Sequence, residues 1–207
     1  MKIIGQTSLT NFTLWEMCLK ELSTHVDELH IRFDQQTGNP DILKTIQDPK
    51  FLDGKIKQIL ISSTKWNRWN WREEQIRMLD TIKPDIVLVL DQDETFSDEI
   101  DLEIKEFWKS SREAMMFLYT NPLPTNDGRI VKYYPSKPHM KVYKWKEQLT
   151  YNPYIGYAKV TNYRNPELHW VANTKINHFC YYTPEIEKLK SEELAKRFEY
   201  EKIHGKR

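Results

Sequence analysis

The sequence predicts an α/β protein with a doubly wound, mostly parallel sheet flanked by helices and a more antiparallel C-terminal half. Strand and helix patterns alternate strictly up to residue 94, which is typical of parallel strands joined by right-handed crossovers. Five consecutive apolar residues, 86–90, then stop abruptly at Asp91-Gln92-Asp93-Glu94. A short apolar run bounded in this way indicates a strand that is buried on both faces.

The local spacing of apolar residues predicts the elements of the first half. Strands are predicted at residues 2–4, 28–33, 57–62 and 86–90. Helices are predicted at residues 12–24, 41–47 and 73–82, the first of them with Asn11 as its N-cap. The residues after the first strand, which include Gln6 and Thr7, are predicted to form a loop.

After residue 94 the pattern changes toward antiparallel pairing. The predicted elements are a helix at residues 98–110, a strand at 114–120, paired strands at 130–134 and 139–144, an extended segment at 175–182 and a helix at 185–201. No low-complexity linker interrupts the chain. We therefore expect one domain with two halves, residues 1–96 and 97–207.

The composition limits the kinds of partner and site. Lys and Arg number 31 against 30 Asp and Glu, so the net charge does not demand nucleic acid or an anionic membrane. Cys18 and Cys180 are too few for a disulfide framework and are expected to be small buried residues. The N-terminus does not resemble a signal peptide, and no window approaches the ~20 apolar residues of a membrane helix. We expect a cytoplasmic protein without membrane insertion.

Three carboxylates in four residues follow the predicted buried strand: Asp91, Asp93 and Glu94. Ligands of open α/β sheets bind beyond the carboxyl ends of such strands. A hard divalent cation such as Mn²⁺ or Mg²⁺ takes carboxylate ligands and also accepts diphosphate oxygens. The motif therefore favours a metal site. The alternative is a solvated acidic loop that caps the next helix at residues 97–99.

With these motifs in order, the chain resembles nucleotide-sugar glycosyltransferases of the GT-A fold, a Rossmann-like fold, and of the family 2 type. The resemblance rests on a strand that ends at Asp34 and on a helix that carries Arg72 before the acidic strand. The sequence VLVLDQDE, residues 87–94, is similar to the family's metal-binding D-x-D motif, and INHFCYY, residues 176–182, is similar to its late histidine segment. The resemblance to this family covers residues 1–120 and, in outline, residues 130–185.

The resemblance implies a role for each of these side chains. Asp93 would be the principal carboxylate ligand of the metal and His178 its nitrogen ligand, while Asp91 would hold the ribose or a metal-bound water. Arg72 would pair with the diphosphate of a nucleoside-diphosphate sugar, with a UDP-sugar as the expected donor. Asp34 would hold the nucleoside.

The remaining implied sites are the nucleoside pocket and the catalytic base. Gln6 and Thr7 are candidates to line the pocket in the nucleotide-sugar half, residues 1–96. An inverting transferase also needs a carboxylate base on its acceptor side. The His-Glu pair that some relatives carry is absent after Leu149-Thr150-Tyr151. The candidates for the base are Glu147, Glu94 and Asp127, and both inversion and retention stay open.

Several of these assignments have competing explanations. Asp34 could instead cap a turn at Gly38. The rivals of Arg72 for the diphosphate are Arg68 and Arg77, and the rivals of His178 for the metal are His139 and His169.

The implied function is metal-dependent transfer of a sugar to an acceptor hydroxyl of a glycan, a protein or a hydroxymethylated DNA base. The segment KWNRWNWR, residues 65–72, suits stacking on bases or sugars, although a helix entrance packed by Trp is the favoured interpretation. One alternative is a non-catalytic module that binds a nucleotide or carbohydrate. Another is a nucleotidyltransferase, which would be expected to carry a cationic, glycine-rich loop where this chain has GQTSLTN, residues 5–11.

Overall fold

A computed structural model describes residues 1–63, 68–120, 138–146 and 166–179, with the backbone alone for residues 68–72. Its first-half strands are β1 (Ile3–Leu9), β2 (Glu28–Asp34), β3 (Ile56–Ser62), β4 (Ile86–Val89) and β5 (Glu94–Phe96). The later strands are β6 (Ala114–Phe117), β7 (Tyr119–Thr120), β8 (His139–Lys144), β9 (His169–Val171) and β10 (Ile176–His178). The helices are α1 (Trp15–Thr24), α2 (Pro40–Gln47), α3 (Arg68–Arg77) and α4 (Asp101–Lys109).

Seven strands form one sheet in the order β3-β2-β1-β4-β8-β6-β9. The pairs β1–β2, β2–β3, β1–β4 and β6–β9 are parallel, whereas β8 runs antiparallel to both β4 and β6. A second sheet has the order β5-β10-β7. The predicted fold class is confirmed: this is a GT-A-like, Rossmann-type α/β sheet in which the antiparallel strand comes from the C-terminal half.

The core forms because the central strands are apolar on at least one face. Leu29 and Ile31 of β2 and Leu88 of β4 are fully buried, and Leu19 and Leu22 of α1 belong to the same cluster. Fully burying a side chain of this size contributes roughly 1.5–3 kcal/mol. The other face of the first strands is more polar, since Gln6, His30 and Arg32 are buried there, and Gln6 and Arg32 contact α3.

Two predictions about the start of the chain are wrong. Gln6 and Thr7 do not lie in a loop but in β1, which continues to Leu9 because β2 pairs with it as far as Leu9, whereas the pairing with β4 ends at Gln6. The first helix begins at Trp15 rather than residue 12, and its N-cap is Leu14 rather than Asn11. Backbone pairing with a neighbouring strand extends β1 through residues that are polar in sequence.

Two other element boundaries also differ from the predictions. The helix predicted at residues 73–82 spans Arg68–Arg77, so residues 68–72 of the aromatic and basic stretch belong to the helix instead of preceding it. The strand predicted at residues 114–120 divides into β6 and β7, which belong to different sheets. This division lets one continuous apolar run pack on both sheets.

Several predictions lie outside the described residues. They are the strand at 130–134, the helix at 185–201, Cys180, Asp127 and Glu147. Cys18 is buried in α1, as predicted. Burial raises the pKa of its thiol, and the nearby carboxylate of Asp93 raises it further. No helix in the described part of the chain has the length and apolar character needed to cross a membrane.

Candidate active site

The sheet changes winding direction between β1 and β4. From β1 the chain adds β2 and β3 on one side, and it then returns to place β4 on the other side of β1. In open α/β sheets the ligand crevice lies at such a switch point, beyond the carboxyl ends of the strands. Residues 91–94, here called the acidic turn, follow β4 at this point.

Gln92 ties the acidic turn to the end of β1. Its side-chain oxygen accepts a hydrogen bond from the backbone N–H of Thr10 at 2.8 Å, and its Nε2 donates to Thr10 Oγ1 at 2.6 Å. Gln92, the residue between the two aspartates, therefore connects the segments that follow β1 and β4. Its side chain is thereby directed toward Thr10.

The structure brings Asp93 and His178 together. The antiparallel pairing of β5 with β10 sets His178 opposite Glu94, and His178 Nε2 lies 3.5 Å from Asp93 Oδ2. The backbone N–H of Phe179 also donates to the carbonyl of Asp93 at 2.8 Å. The side chain of Asp93 is 4% exposed and that of His178 is 26% exposed. Asp93 is therefore buried, whereas His178 is partly accessible to solvent.

A buried carboxylate of α4 positions the strand that carries His178. Glu103 accepts hydrogen bonds from Trp170 Nε1 at 3.0 Å and from the backbone N–H groups of Asn173 and Thr174 at 2.8 and 3.2 Å. These contacts fix the turn between β9 and β10. The position of His178 thus depends on a residue that no motif in the sequence identifies.

Glu94 is enclosed by the fold. One of its oxygens accepts from the backbone N–H of Asp91 at 2.8 Å and from Lys141 Nζ at 2.5 Å, and the other accepts from the Tyr119 hydroxyl at 2.7 Å. The side chain is 1% exposed. This carboxylate shapes the acidic turn, and its enclosure argues against its use as a base toward an acceptor.

Lys141 is a residue of this site that the sequence analysis missed. It lies in β8 with its side chain 5% exposed, and its Nζ contacts Asp91 Oδ2 at 3.2 Å as well as Glu94. The sequence feature that could have identified Lys141 is its position between Met140 and Val142 in a predicted strand. A lysine buried in a strand requires a partner of opposite charge, and the nearest acidic motif in the fold is the one at β4.

An aromatic layer adjoins the acidic turn. The Tyr119 ring stacks on His139 with centroids 4.2 Å apart and an interplanar angle of 6°, and its centroid is 5.2 Å from that of His178. His139, a rival candidate for the metal, therefore lies in the same cluster. His169, the other rival, begins β9 at the far end of the sheet order.

The residues fit a metal site with two protein ligands. Asp93 and His178 offer an oxygen and a nitrogen, and cations such as Mg²⁺ usually keep waters and substrate phosphates as their other ligands. Asp91 is instead ion-paired with Lys141. Within residues 1–63, 68–120, 138–146 and 166–179, no group of three or more His, Cys, Asp or Glu side chains could hold a metal ion.

The candidates for the nucleoside pocket are occupied by contacts within the protein. Gln6 Nε2 donates to the carbonyl of Gln75 in α3 at 2.6 Å. Asp34 is fully buried, and its two oxygens accept from the backbone N–H of Gln36 at 2.9 Å and from Thr37 Oγ1 at 3.0 Å. This geometry favours the turn-capping explanation for Asp34, and Thr7 is buried in β1.

A second buried cation lies beneath α3. Arg32 of β2 donates from Nε to Glu74 Oε2 at 2.6 Å, and Ser62 Oγ donates to the other oxygen of Glu74 at 3.0 Å. Burial lowers the pKa of Arg32. Arg72 lies in the same helix, within the part described by its backbone alone, and Arg77 forms an exposed pair with Glu73.

Comparison with known proteins supports the fold. No known family model matches the sequence, and no curated protein matches it. A solved structure described as a glucose-1-phosphate thymidylyltransferase of Bacillus anthracis is similar, with a TM-score of 0.53 and 13% identity over 92% of this chain and 94% of that one. HddC of Yersinia pseudotuberculosis matches with a TM-score of 0.48 and 10% identity, covering 94% of this chain and 100% of its own.

A third solved structure, TarS of S. aureus, has a TM-score of 0.47 and 12% identity. The match covers 70% of this chain and 28% of TarS. At these identities the likeness concerns the fold alone. The thymidylyltransferase structure, with its TM-score of 0.53, agrees with the sheet order in showing a Rossmann-type α/β fold.

Proposed function

We propose that this protein is a metal-dependent glycosyltransferase that moves a sugar from a nucleoside-diphosphate sugar, by preference a UDP-sugar, to an acceptor hydroxyl. The observation that supports this most strongly is the approach of Asp93 and His178 to 3.5 Å beside the switch point of the sheet. A carboxylate and an imidazole at this place suit a cation that also takes diphosphate oxygens.

Each residue of the site would have a different role in the reaction. A divalent cation held by Asp93 and His178 would stabilise the charge that develops on the leaving diphosphate. Asp91, whose side chain is 40% exposed, faces the crevice and would hold the ribose or a metal-bound water. Arg72 would pair with the diphosphate from α3.

The two halves of the chain would serve the two substrates. Residues 1–96 would bind the donor, with Gln6, Thr7 and Asp34 near the nucleoside. Residues 97–207 would bind the acceptor, which is a glycan, a protein or a modified DNA base, and Glu147 would be its base. The near balance of 31 basic and 30 acidic residues favours an acceptor other than long DNA.

The test is donor binding with and without the metal. Melting temperatures are measured with UDP, GDP, CMP and their sugars, each in the presence and absence of Mn²⁺. Ligand at about 100 times its Kd stabilises the native state by about 2.7 kcal/mol. We expect one nucleotide to raise the melting temperature only together with Mn²⁺, and Asp93→Asn and His178→Gln to abolish that rise. Glu99→Gln, at an exposed acid beyond the acidic turn, is the control.

Reaction products separate the alternatives. Release of a nucleoside diphosphate from the sugar donor supports the transferase. Release of pyrophosphate from a nucleoside triphosphate and a sugar phosphate would identify a nucleotidyltransferase. Binding without turnover on any acceptor class would favour the non-catalytic module, and binding that ignores Mn²⁺ would contradict the metal site.

A further inference from the structure

Lys141 places a buried ammonium group against two carboxylates of the acidic turn. Among the residues whose burial is described, it is the only lysine in the core. Its Nζ lies 2.5 Å from Glu94 Oε2 and 3.2 Å from Asp91 Oδ2. The fold thus supplies a fixed positive charge at the same carboxylates that the sequence motif offers to a metal.

The register of β8 explains how this lysine reaches the acidic turn. Leu88 pairs with Val142 and Val87 pairs with Tyr143 in the antiparallel ladder between β4 and β8. Moving back along β8 therefore moves forward along β4, so Lys141 lies beside the carboxyl end of β4. The lysine is held there by the ladder and does not depend on a flexible loop.

Burial determines which of these groups can meet a ligand. The side chain of Lys141 is 5% exposed and that of Glu94 is 1% exposed, whereas that of Asp91 is 40% exposed. Lys141 therefore acts on the crevice through Asp91. An ammonium at this distance competes with a divalent cation for the Asp91 carboxylate, because both are attracted to the same oxygens.

We propose that Lys141 is a positioning residue that withholds Asp91 and Glu94 from a divalent cation, so that the cation binds firmly only together with a diphosphate. This inference rests on the proposed function, because it concerns the same Asp93 and His178 site. Affinity for a hard cation rises with the number of charged oxygen ligands. Two protein ligands give weak binding, and the diphosphate oxygens supply the ligands that Asp91 withholds.

The experiment titrates Mn²⁺ alone into the full chain and follows the free ion by electron paramagnetic resonance. The wild type is compared with Lys141→Met/Glu94→Gln. This double substitution removes one charge of each sign, so the net charge of the cluster is unchanged and no buried charge loses its partner. We expect the Kd for Mn²⁺ to fall about tenfold, the scale on which neighbours of metal ligands alter affinity, because Asp91 is released.

Three variants isolate the cause. Asp91→Asn, added to the double substitution, should return the Kd to the wild-type value if Asp91 is the added ligand. Lys141→Arg keeps the positive charge and should bind Mn²⁺ as weakly as the wild type. Lys105→Met/Glu106→Gln makes the same exchange of charges on the exposed face of α4 and should change nothing.

Unchanged Mn²⁺ affinity in a folded Lys141→Met/Glu94→Gln protein would overturn the inference. If circular dichroism shows that this variant does not fold, Asp91→Asn in the otherwise unchanged chain decides the matter. Because Lys141 withholds Asp91, this substitution should leave the Kd for Mn²⁺ alone unchanged, and a Kd that rises about tenfold would show that Asp91 is already a ligand and would overturn the inference. Failure of the proposed function looks different: UDP and UDP-sugars do not bind the wild type, while the comparison of variants with Mn²⁺ alone remains decisive.

Discussion

Arg32 and Lys141 are both buried cations in the seven-stranded sheet, but their carboxylate partners lie in different surroundings. Glu74, the partner of Arg32, comes from α3 and also accepts a hydrogen bond from Ser62 of β3. The partners of Lys141 both belong to the acidic turn at the crevice. The first pair fastens a helix to two strands, whereas the second arranges carboxylates where a ligand would bind. Burial of a charge alone therefore does not distinguish a structural pair from a functional one.

The Arg32 pair should give the largest loss of stability. Glu74→Gln leaves a fully buried guanidinium without its carboxylate, and removal of one partner of a buried pair typically costs about 3–5 kcal/mol. Urea unfolding measures the free energy. The neighbouring Glu73→Gln removes an exposed pair with Arg77 and should cost less than about 0.5 kcal/mol. Similar losses in the two variants would show that Glu74 does not fasten α3.

Glu94→Gln should destabilise the protein less than Glu74→Gln does. Lys141 keeps Asp91 as its ion partner, and an amide oxygen can still accept one of the hydrogen bonds of the turn. We expect a loss of about 1–3 kcal/mol from the contacts left unmade, again measured by urea unfolding. Glu99→Gln is the control. A loss as large as that of Glu74→Gln would mean that the two regions are held in the same way.

Tyr119→Phe should have a smaller effect. It removes the hydroxyl that donates to Glu94 at 2.7 Å but keeps the ring that stacks on His139. One hydrogen bond to a carboxylate contributes about 1.5 kcal/mol, the lower end of the range for charged acceptors. In the Glu94→Gln background the same substitution should cost measurably less, since the two groups are coupled. Additive effects would contradict the contact.

The smallest expected effect is a pH dependence of the unfolding free energy that arises at His25, apart from the Arg32–Glu74 and Lys141–Glu94 pairs. Burial lowers the pKa of His25, but hydrogen bonds to Glu21 and Asp101 outweigh it and the pKa is raised. The folded state therefore prefers the protonated ring. This stabilisation is complete below the ordinary pKa of histidine and is lost as the pH rises through the raised value. His25→Gln should remove that slope from a plot of unfolding free energy against pH, and a slope that persists would assign it to another group.

The parts of the fold that follow local rules were predictable. The buried strand β4 and the acidic turn are visible in the sequence because a run of apolar residues stops at a run of acids. The pairing of Asp93 with His178 was implied by the resemblance and agrees with the register of β5 and β10. Assignment of a metal to this pair stays a prediction.

The contacts that the sequence did not predict are tertiary. Lys141 meets Glu94 only because β8 runs antiparallel beside β4, and its own neighbours along the chain give no partner. The length of β1 likewise depends on its pairing with β2, which continues to Leu9 after the pairing with β4 has ended at Gln6. Asp34 was assigned to a nucleoside, and its hydrogen bonds to Gln36 and Thr37 are purely local. That assignment also stays a prediction.

Gln92 has a thermodynamic consequence. Its amide both accepts from and donates to Thr10, so one side chain spans the gap between the ends of β1 and β4 at two points. A corner clamped in this way is already ordered before a ligand arrives, and little chain entropy remains to be lost there on binding. Under the proposed function, the middle residue of the D-x-D sequence would thus preorganise the site, while the two aspartates would provide its chemistry.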